Sequence, residues 1–220
     1  MIRVENIDIW GFEGAVRGAR NPMNSWERSD SSFCYDAKKG RMEVTLGPND
    51  LDLLRRLYKA GSEHRKYMRQ IFVSMDITAP FYWWKQFDTY KIGTTSNSCS
   101  TMHKLTAKPF ELCDFSHEHL LDTSFLSKLI DELNHYRNLY LNYNELKDTD
   151  AIPAGASKKD IWWQMIQLLP ESYNQKRTIS LNYENVILMS KQRKGHKLDE
   201  WNELIEIFGT LPYVREITEV

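Results

Sequence analysis

Apolar and polar residues alternate through residues 2–10 (IRVENIDIW), which predicts an opening strand with one face turned inward. Residues 14–33 (GAVRGARNPMNSWERSDSSF) are rich in Gly, Asn, Ser and Arg without periodicity and predict a long loop, a length often tied to function in a compact domain. GRMEVTLG (40–47) predicts a short strand. Leu51, Leu53, Leu54 and Leu57 follow an Asn49/Asp50 cap and precede Gly61, the pattern of a short amphipathic helix. Alternation returns in QIFVSMDI (70–77) as a further strand. Pro80 then opens PFYWWKQF as a helix, because a first-turn proline lacks only an N–H that has no partner there.

The longest regular element spans about 124–147, where Leu129, Leu133, Tyr136, Tyr140 and Tyr143 recur at steps of four and three and line one face. Helices are also expected at 158–168 and 179–193, and a last one begins near Leu198 in LDEWNELIEIF. The chain has no internal repeat and no low-complexity segment. Strand, loop, strand, helix, strand and then mostly helices describe a mixed α/β domain, compatible with parallel or antiparallel pairing.

The length of 220 residues suits one sizeable domain or two small ones. Apolar residues at 41% and charged residues at 27% are ordinary for a globular protein, and seven Trp exceed what a core requires. A formal net charge of −1 offers no general attraction to nucleic acid or anionic membrane, so neither is expected as a partner. Cys34, Cys99 and Cys113 form no CxxC pair, MIRVENIDIW lacks a signal-peptide pattern, and no apolar run nears the roughly 18 residues that span a bilayer. Unpaired thiols and a cytoplasmic location follow as expectations.

Candidate chemistry is sparse. His117 and His119 share a face only on a strand and have no third ligand in view, which leaves a solvated loop or a weak metal site. Nucleophile elbow, P-loop and dinucleotide glycine fingerprints are missing. In KQRKGHK (191–197) the cations suit a helix C-terminus and solubility, or else Arg193 turns inward to grip an anion. Lys91, His103 and Lys104 bracket a polar tract, TTSNSCST, that reads as an ordinary loop or as a phosphate-binding one. Trp83, Trp84, Trp162 and Trp163 read as core before ligand platform, although neighbours about 100° apart on a helix allow one of each pair to face a partner or pocket.

The segment TAPFYWWKQFDTYKIGTTSNSCSTMHKL resembles the signature region of the flavin-dependent thymidylate synthases. In that family an alanine-proline-aromatic helix carries a glutamine six residues after the proline, as Gln86 follows Pro80, and an Arg-His-Arg triplet opens the next motif. With one inserted residue, Asn97 and Ser100 align with the motif's asparagine and second serine. Leu169-Pro170, Asn182 and Arg193 reproduce the spacing of a C-terminal Leu-Pro, asparagine and arginine, LDEWNELIEIF resembles the closing helix, and RGARNPMNS resembles the first flavin-side loop. Several positions differ: the triplet is Thr89-Tyr90-Lys91, the motif's glutamate and arginine are Ser98 and Met102, and the histidine of the preceding strand is Gln70. Glu184, Leu188 and Ile166 stand where the family has arginine, asparagine and arginine. Glu184 in particular is expected to repel a flavin diphosphate.

The resemblance implies an α/β (α+β) thymidylate synthase-like fold, an antiparallel sheet with flanking helices, in a single domain over 1–220. It implies a homotetramer with active sites between subunits, a small-molecule pyrimidine nucleotide (dUMP) as ligand, FAD as cofactor and folate as co-substrate. Arg193 and Gln86 are the implied catalytic positions. Gln86, Ser100, Arg193, Lys91, His103 and Lys104 are the implied nucleotide-binding ones, and Asn97, Asn182 and Lys91 the cofactor-binding ones. Three functions stay open: a methyltransferase making a reductive one-carbon transfer to the base, a nucleotide-binding protein with a different nucleotide chemistry, and a non-catalytic structural or interaction protein on the same fold that no longer binds flavin.

Overall fold

The protein was analysed as a computed structural model describing residues 2–38 and 40–218, with Arg41 described by its backbone alone. Strand β1 (Arg3–Trp10) leads through Gly11, at φ 96°, into helix α1 (Phe12–Arg20). Residues 14–33 are therefore largely ordered into elements instead of a loop. Phe12, Ala15 and Val16 sit at helical spacing and are buried, a stripe that Gly14 and Gly18 conceal in a propensity reading. Two 3-10 turns follow, and Ser32–Asp36 (β2) pairs antiparallel with Arg41–Thr45 (β3), Cys34 opposite Glu43.

Helix α2 (Pro48–Lys59) starts as expected, but its cap does not come from Asn49 or Asp50. The backbone N–H groups of both residues donate to the Asp30 carboxylate, at 2.9 and 3.1 Å. Asp50 instead lies fully buried, accepting from Arg20 Nε (2.6 Å), Ser29 Oγ (2.8 Å), Ser31 Oγ (2.6 Å) and the Asp30 and Ser31 amides (both 3.1 Å). Arg20 is itself 5% exposed. One carboxylate thus ties the end of α1, the connection after it and the first turn of α2.

Strand β4 (Phe72–Pro80) runs directly into α3 (Phe81–Phe87). Strand β5 (Thr95–Ser98) and helix α4 (Thr101–Lys104) occupy the polar tract. Helices α5 (Ser124–Leu141) and α6 (Tyr143–Leu146) divide the expected long helix at Asn142, and α7 (Lys158–Leu168) packs on α5. Residues 174–182 form strand β6 (Asn174–Asn182), so the expected helix at 179–193 begins only with α8 (Tyr183–Gln192). Ile179 and Leu181 alternate with less buried neighbours, and in the sheet order β1-β4-β6-β5 the strand is flanked on both sides. Helices α9 (Asp199–Thr210) and α10 (Val214–Thr218) close the chain; the pattern analysis missed the latter, only five residues long.

Two compact units emerge: Thr78–Phe87 with Ser98–Arg177, and Ile2–Ile77 with Asp88–Asn97 and Thr178–Val220. In the first, Leu105, Phe110, Phe115, Leu126, Ile130, Leu133 and Met165 form a core against which Leu129, Tyr136 and Tyr140 pack, the face expected for α5. Trp83 and Trp84 are both buried, at 0% and 1% exposure, as the core reading expects. The two stack edgewise and against Phe87, and the Trp84 indole N–H donates to Gln175 O at 2.9 Å. Trp162 is half-buried and Trp163 exposed. In the second unit α1 packs on α2 and on the 3-10 segment Arg65–Gln70, while α9 packs on α8 and α10.

All three cysteines are free. Among the described residues no cluster could hold a metal, and no helix is long and apolar enough to cross a membrane. His117 instead sits with its Nδ1 2.8 Å from Phe115 O.

Asp50 gives a stability prediction with a defined sign. Burial opposes its ionisation, yet the hydrogen bonds from Ser31, Ser29 and Arg20 and the arginine's charge hold the carboxyl below its ordinary 3.8. Near that pH the unfolded chain binds more protons than the folded one, so stability rises with pH there. The contribution is complete above the unfolded value and disappears as pH falls through the folded one. Asp50→Ala, which leaves Arg20 buried without its counter-ion, is expected to lose about 3–5 kcal/mol in urea denaturation. Asp50→Asn is expected to flatten the acid limb of the stability–pH curve.

Candidate functional site

The segment between α3 and β5 is fixed by its backbone. Asn182 caps α8, accepting from Asn185 N at 3.1 Å, while Asn185 Oδ1 accepts from Asn182 N at 3.3 Å. The Asn185 amide also donates to Ile92 O at 2.8 Å. Gly93 lies at φ +75°, where a Cβ would come within 2.9 Å of both Asn182 Nδ2 and Asn185 Oδ1. Thr94 Oγ1 closes the turn by donating to Tyr90 O. A cap, a side-chain amide and a glycine thereby hold this turn against the start of α8, and Lys91 and Ile92 project from it exposed.

Tyr90 faces the other end of α8. The guanidinium of Arg193, half-buried at the C-cap, lies 4.8 Å above the Trp201 ring and 5.5 Å from that of Tyr90. Its Nε donates to Tyr90 Oη at 2.9 Å, and its Nη1 is 3.3 Å from His196 Nε2. The Leu198 amide donates to His196 Nδ1 at 3.0 Å, so the ring proton of neutral His196 resides on Nε2. With that tautomer two N–H donors converge, an arrangement that can bridge one oxyanion. Partial burial and the charge of Arg193 both hold the imidazole below its ordinary 6.5, in keeping with a neutral ring.

Glu184 is not the isolated negative charge expected. Arg65 Nε donates to it at 3.2 Å and Arg69 Nε to its other oxygen. Against the opposing effect of burial, these two partners hold the carboxyl below its ordinary range. Glu63 adds a second negative charge near Arg69, so the two guanidiniums are matched by two carboxylates.

Nearby in sequence to those arginines, Gln70 lines a cavity of about 330 Å³ with Gly18, Asn21 and Pro22, together with Glu63, His64 and Lys66. A Cβ at Gly18 would lie 2.8 Å from Gln70 Oε1, so the glycine admits the glutamine side chain. The segment that resembles the family's first flavin-side loop thus meets Gln70, which stands where the family has a histidine.

In the first unit, Ser100 caps α4, its hydroxyl accepting from His103 N at 3.2 Å, which sets Ser100, His103 and Lys104 around one helical turn. The His103 and Lys104 side chains are exposed, and Gln86 is half-buried on α3. The expected site residues are thus divided: Gln86, Ser100, His103 and Lys104 belong to the first unit, and Lys91, Asn97, Asn182 and Arg193 to the second. Within the second, Asn182 meets the turn that carries Lys91, while Asn97 is exposed on β5. Sequence reasoning overlooked Trp201 and His196 as partners of Arg193. His196, three residues on in the basic run, was the available signal, whereas Trp201 looked like an ordinary core residue. Arg177, 4.2 Å above the Trp84 ring, was also unforeseen.

This architecture is the fold of the flavin-dependent thymidylate synthases. A crystal structure of Thymidylate Synthase X (ThyX) from Helicobacter pylori with FAD and dUMP matches at a TM-score of 0.66 and 15% identity, covering 98% of this chain and 96% of that one. A second structure of the Helicobacter pylori enzyme, also complexed with FAD and dUMP, matches at 0.65 and 15%, covering 97% and 96%. No family model matches the chain. No curated protein matches it either.

Gly93 is the most sensitive backbone position of the turn. Gly93→Ala combines a strained positive φ with contact on the α8 cap, and is expected to cost about 1–3 kcal/mol. Lys91→Ala, at an exposed position, is expected to leave the melting temperature within about a degree or two of the parent's. Paired thermal melts measure the difference.

Proposed function

We propose that this chain is a divergent flavin-dependent thymidylate synthase-like protein that binds a pyrimidine nucleotide of the dUMP type, with Arg193 on the phosphate. Supporting this is the convergence of Arg193 Nη1 and His196 Nε2, 3.3 Å apart beside the Trp201 ring, which suits a phosphate oxygen. The fold shared with structures that contain dUMP makes a nucleotide the natural bearer of that phosphate. The assignment of Gln86 and Ser100 to base or phosphate, and of Lys91, His103 and Lys104 to supporting charge, belongs to the same proposal. So does a homo-oligomer, a tetramer as the resemblance implies, of one-domain chains (1–220) acting in the cytoplasm. If the chain is an enzyme, the reaction is reductive one-carbon transfer to the base, with folate as carbon source and a reduced flavin, which the chain would have to bind, as the source of reducing equivalents.

Flavin fits less well. The Thr89–Tyr90–Lys91 segment offers one cation where the resemblance implies two arginines, and the Tyr90 hydroxyl is engaged by Arg193. Asn182 and Asn185, with amide and carbonyl groups turned on each other and on Ile92, are committed to capping and to the turn. The donor set does not match an arginine-rich flavin diphosphate site, and no reaction step is assigned to FAD. The Tyr90–Arg193 hydrogen bond accordingly favours the second reading, a non-catalytic protein on this fold whose pocket is filled by its own side chains.

Calorimetric titration separates the two. On the nucleotide reading dUMP binds saturably, deoxyuridine binds at least about ten-fold more weakly, and Arg193→Ala loses at least about ten-fold in dUMP affinity, as befits a charge-assisted contact. His196→Leu weakens dUMP in the same direction. Undetectable dUMP binding by a folded protein overturns the nucleotide reading. A yellow flavin spectrum in the purified protein, or after FAD is added and unbound FAD removed, reverses the judgement on the cofactor.

A further inference from the structure

We propose that a second cavity, of about 540 Å³ between the end of α8 and helices α9, α10 and α2, binds a small amphiphilic anion: an apolar body bearing a carboxylate-like head. Its volume falls within the roughly 300–1,000 Å³ common for small-molecule sites. Tyr58, Ile187, Ile205 and Val214 supply apolar walls.

Three of the neutral polar side chains on the lining are already engaged. Ser190 Oγ donates to Val186 O at 2.7 Å, Thr218 Oγ1 to Val214 O at 2.8 Å, and the Asn202 amide to His196 O at 3.0 Å. Recognition of a ligand's head therefore falls to charge. Lys191, Lys194 and Arg215 contribute three positive charges against the single negative charge of Glu206. Arg215 pairs with Glu206 at 3.6 Å, whereas among the described residues neither lysine has a recorded ion pair. Lys191 Nζ sits 5.0 Å from the Tyr58 ring centroid, which places a cation at the border between charged rim and apolar wall. A ligand with an apolar body and one negative end satisfies both halves. An uncharged apolar molecule forgoes the lysines, and a bare anion forgoes the walls.

Cations in the last turn of a helix also offset its dipole. That role accounts for stability but predicts no ligand, so binding and melting behaviour distinguish the two. The proposal is independent of the nucleotide reading, since the Arg193 guanidinium is turned toward Tyr90 and Trp201 and does not line this cavity.

Titration of the full chain with sodium octanoate, 1-octanol and inorganic phosphate tests it. Octanoate is expected to bind saturably at one site, and each of the other two at least about ten-fold more weakly. Lys191→Ala/Lys194→Ala is expected to weaken octanoate by at least about ten-fold with the fold retained in a thermal melt. Ile205→Trp, which fills the cavity from an apolar wall, abolishes octanoate binding while leaving both lysines in place. Absence of saturable octanoate binding, equal binding of 1-octanol, or octanoate affinity unchanged in either folded variant overturns the proposal. Should the lysine variant not fold, Ile205→Trp decides.

Discussion

A single buried carboxylate organises the unit on which most of the candidate chemistry rests. Asp50 accepts five hydrogen bonds from one guanidinium, two hydroxyls and two backbone amides, and those donors come from α1 and the connection before β2. A buried charge stripped of its partners is far more costly than a neutral polar group, so the donors and the acceptor hold one another in place. The 3-10 segment Arg65–Gln70 then packs against α1 and α8, and carries the arginines that hold Glu184. From Glu184 it is one residue to Asn185, whose amide holds the turn at Ile92. Electrostatic and capping contacts far apart in sequence thus support the same few side chains near Tyr90.

Around Arg193 the structure combines two tendencies. Its face is covered by aromatic rings and its Nε is engaged by a phenol, arrangements that stabilise a guanidinium without any ligand. Its Nη1, however, is turned to a second donor, which favours an added anion. A nucleotide-binding protein and a self-contained one differ here by which tendency dominates. The Tyr90 hydroxyl stands at the centre of that balance, at a position the resemblance gives to a histidine between two arginines.

Much of this was legible in the chain, but unevenly. The alternation of residues 2–10, the Pro80–Gln86 interval and the Leu-Pro to Asn182 to Arg193 spacing led to the thymidylate synthase-like fold, which the solved structures share. Helix α1 was hidden because two glycines and two arginines mask a stripe as short as Phe12, Ala15 and Val16. The last four residues of strand β6 were taken for helix because Ile179, Leu181 and Tyr183 lead into the apolar residues of α8, and only sheet neighbours separate the two periods. Asp50 looked like a helix cap because its residue type and position suit one; its burial depends on Arg20, thirty residues earlier, which no local pattern reveals. For the same reason Arg193 was found by spacing, while Trp201 and Tyr90 as its neighbours were not.

The turn after α3 carries its placement and its chemistry in different atoms. Ile92 contributes a carbonyl and Gly93 a missing side chain, and both are read by the asparagines at the start of α8. The exposed side chain of Lys91 takes no part in that clasp, and Tyr90 reaches instead to Arg193 at the far end of α8. Substitutions can therefore accumulate at position 91 without redirecting the chain. Such a turn behaves as an interchangeable cassette: a loop can lose one ligand's chemistry, or acquire another's, on an unaltered frame. That separation of placement from content explains how a fold so complete can carry a triplet so unlike the one its architecture suggests.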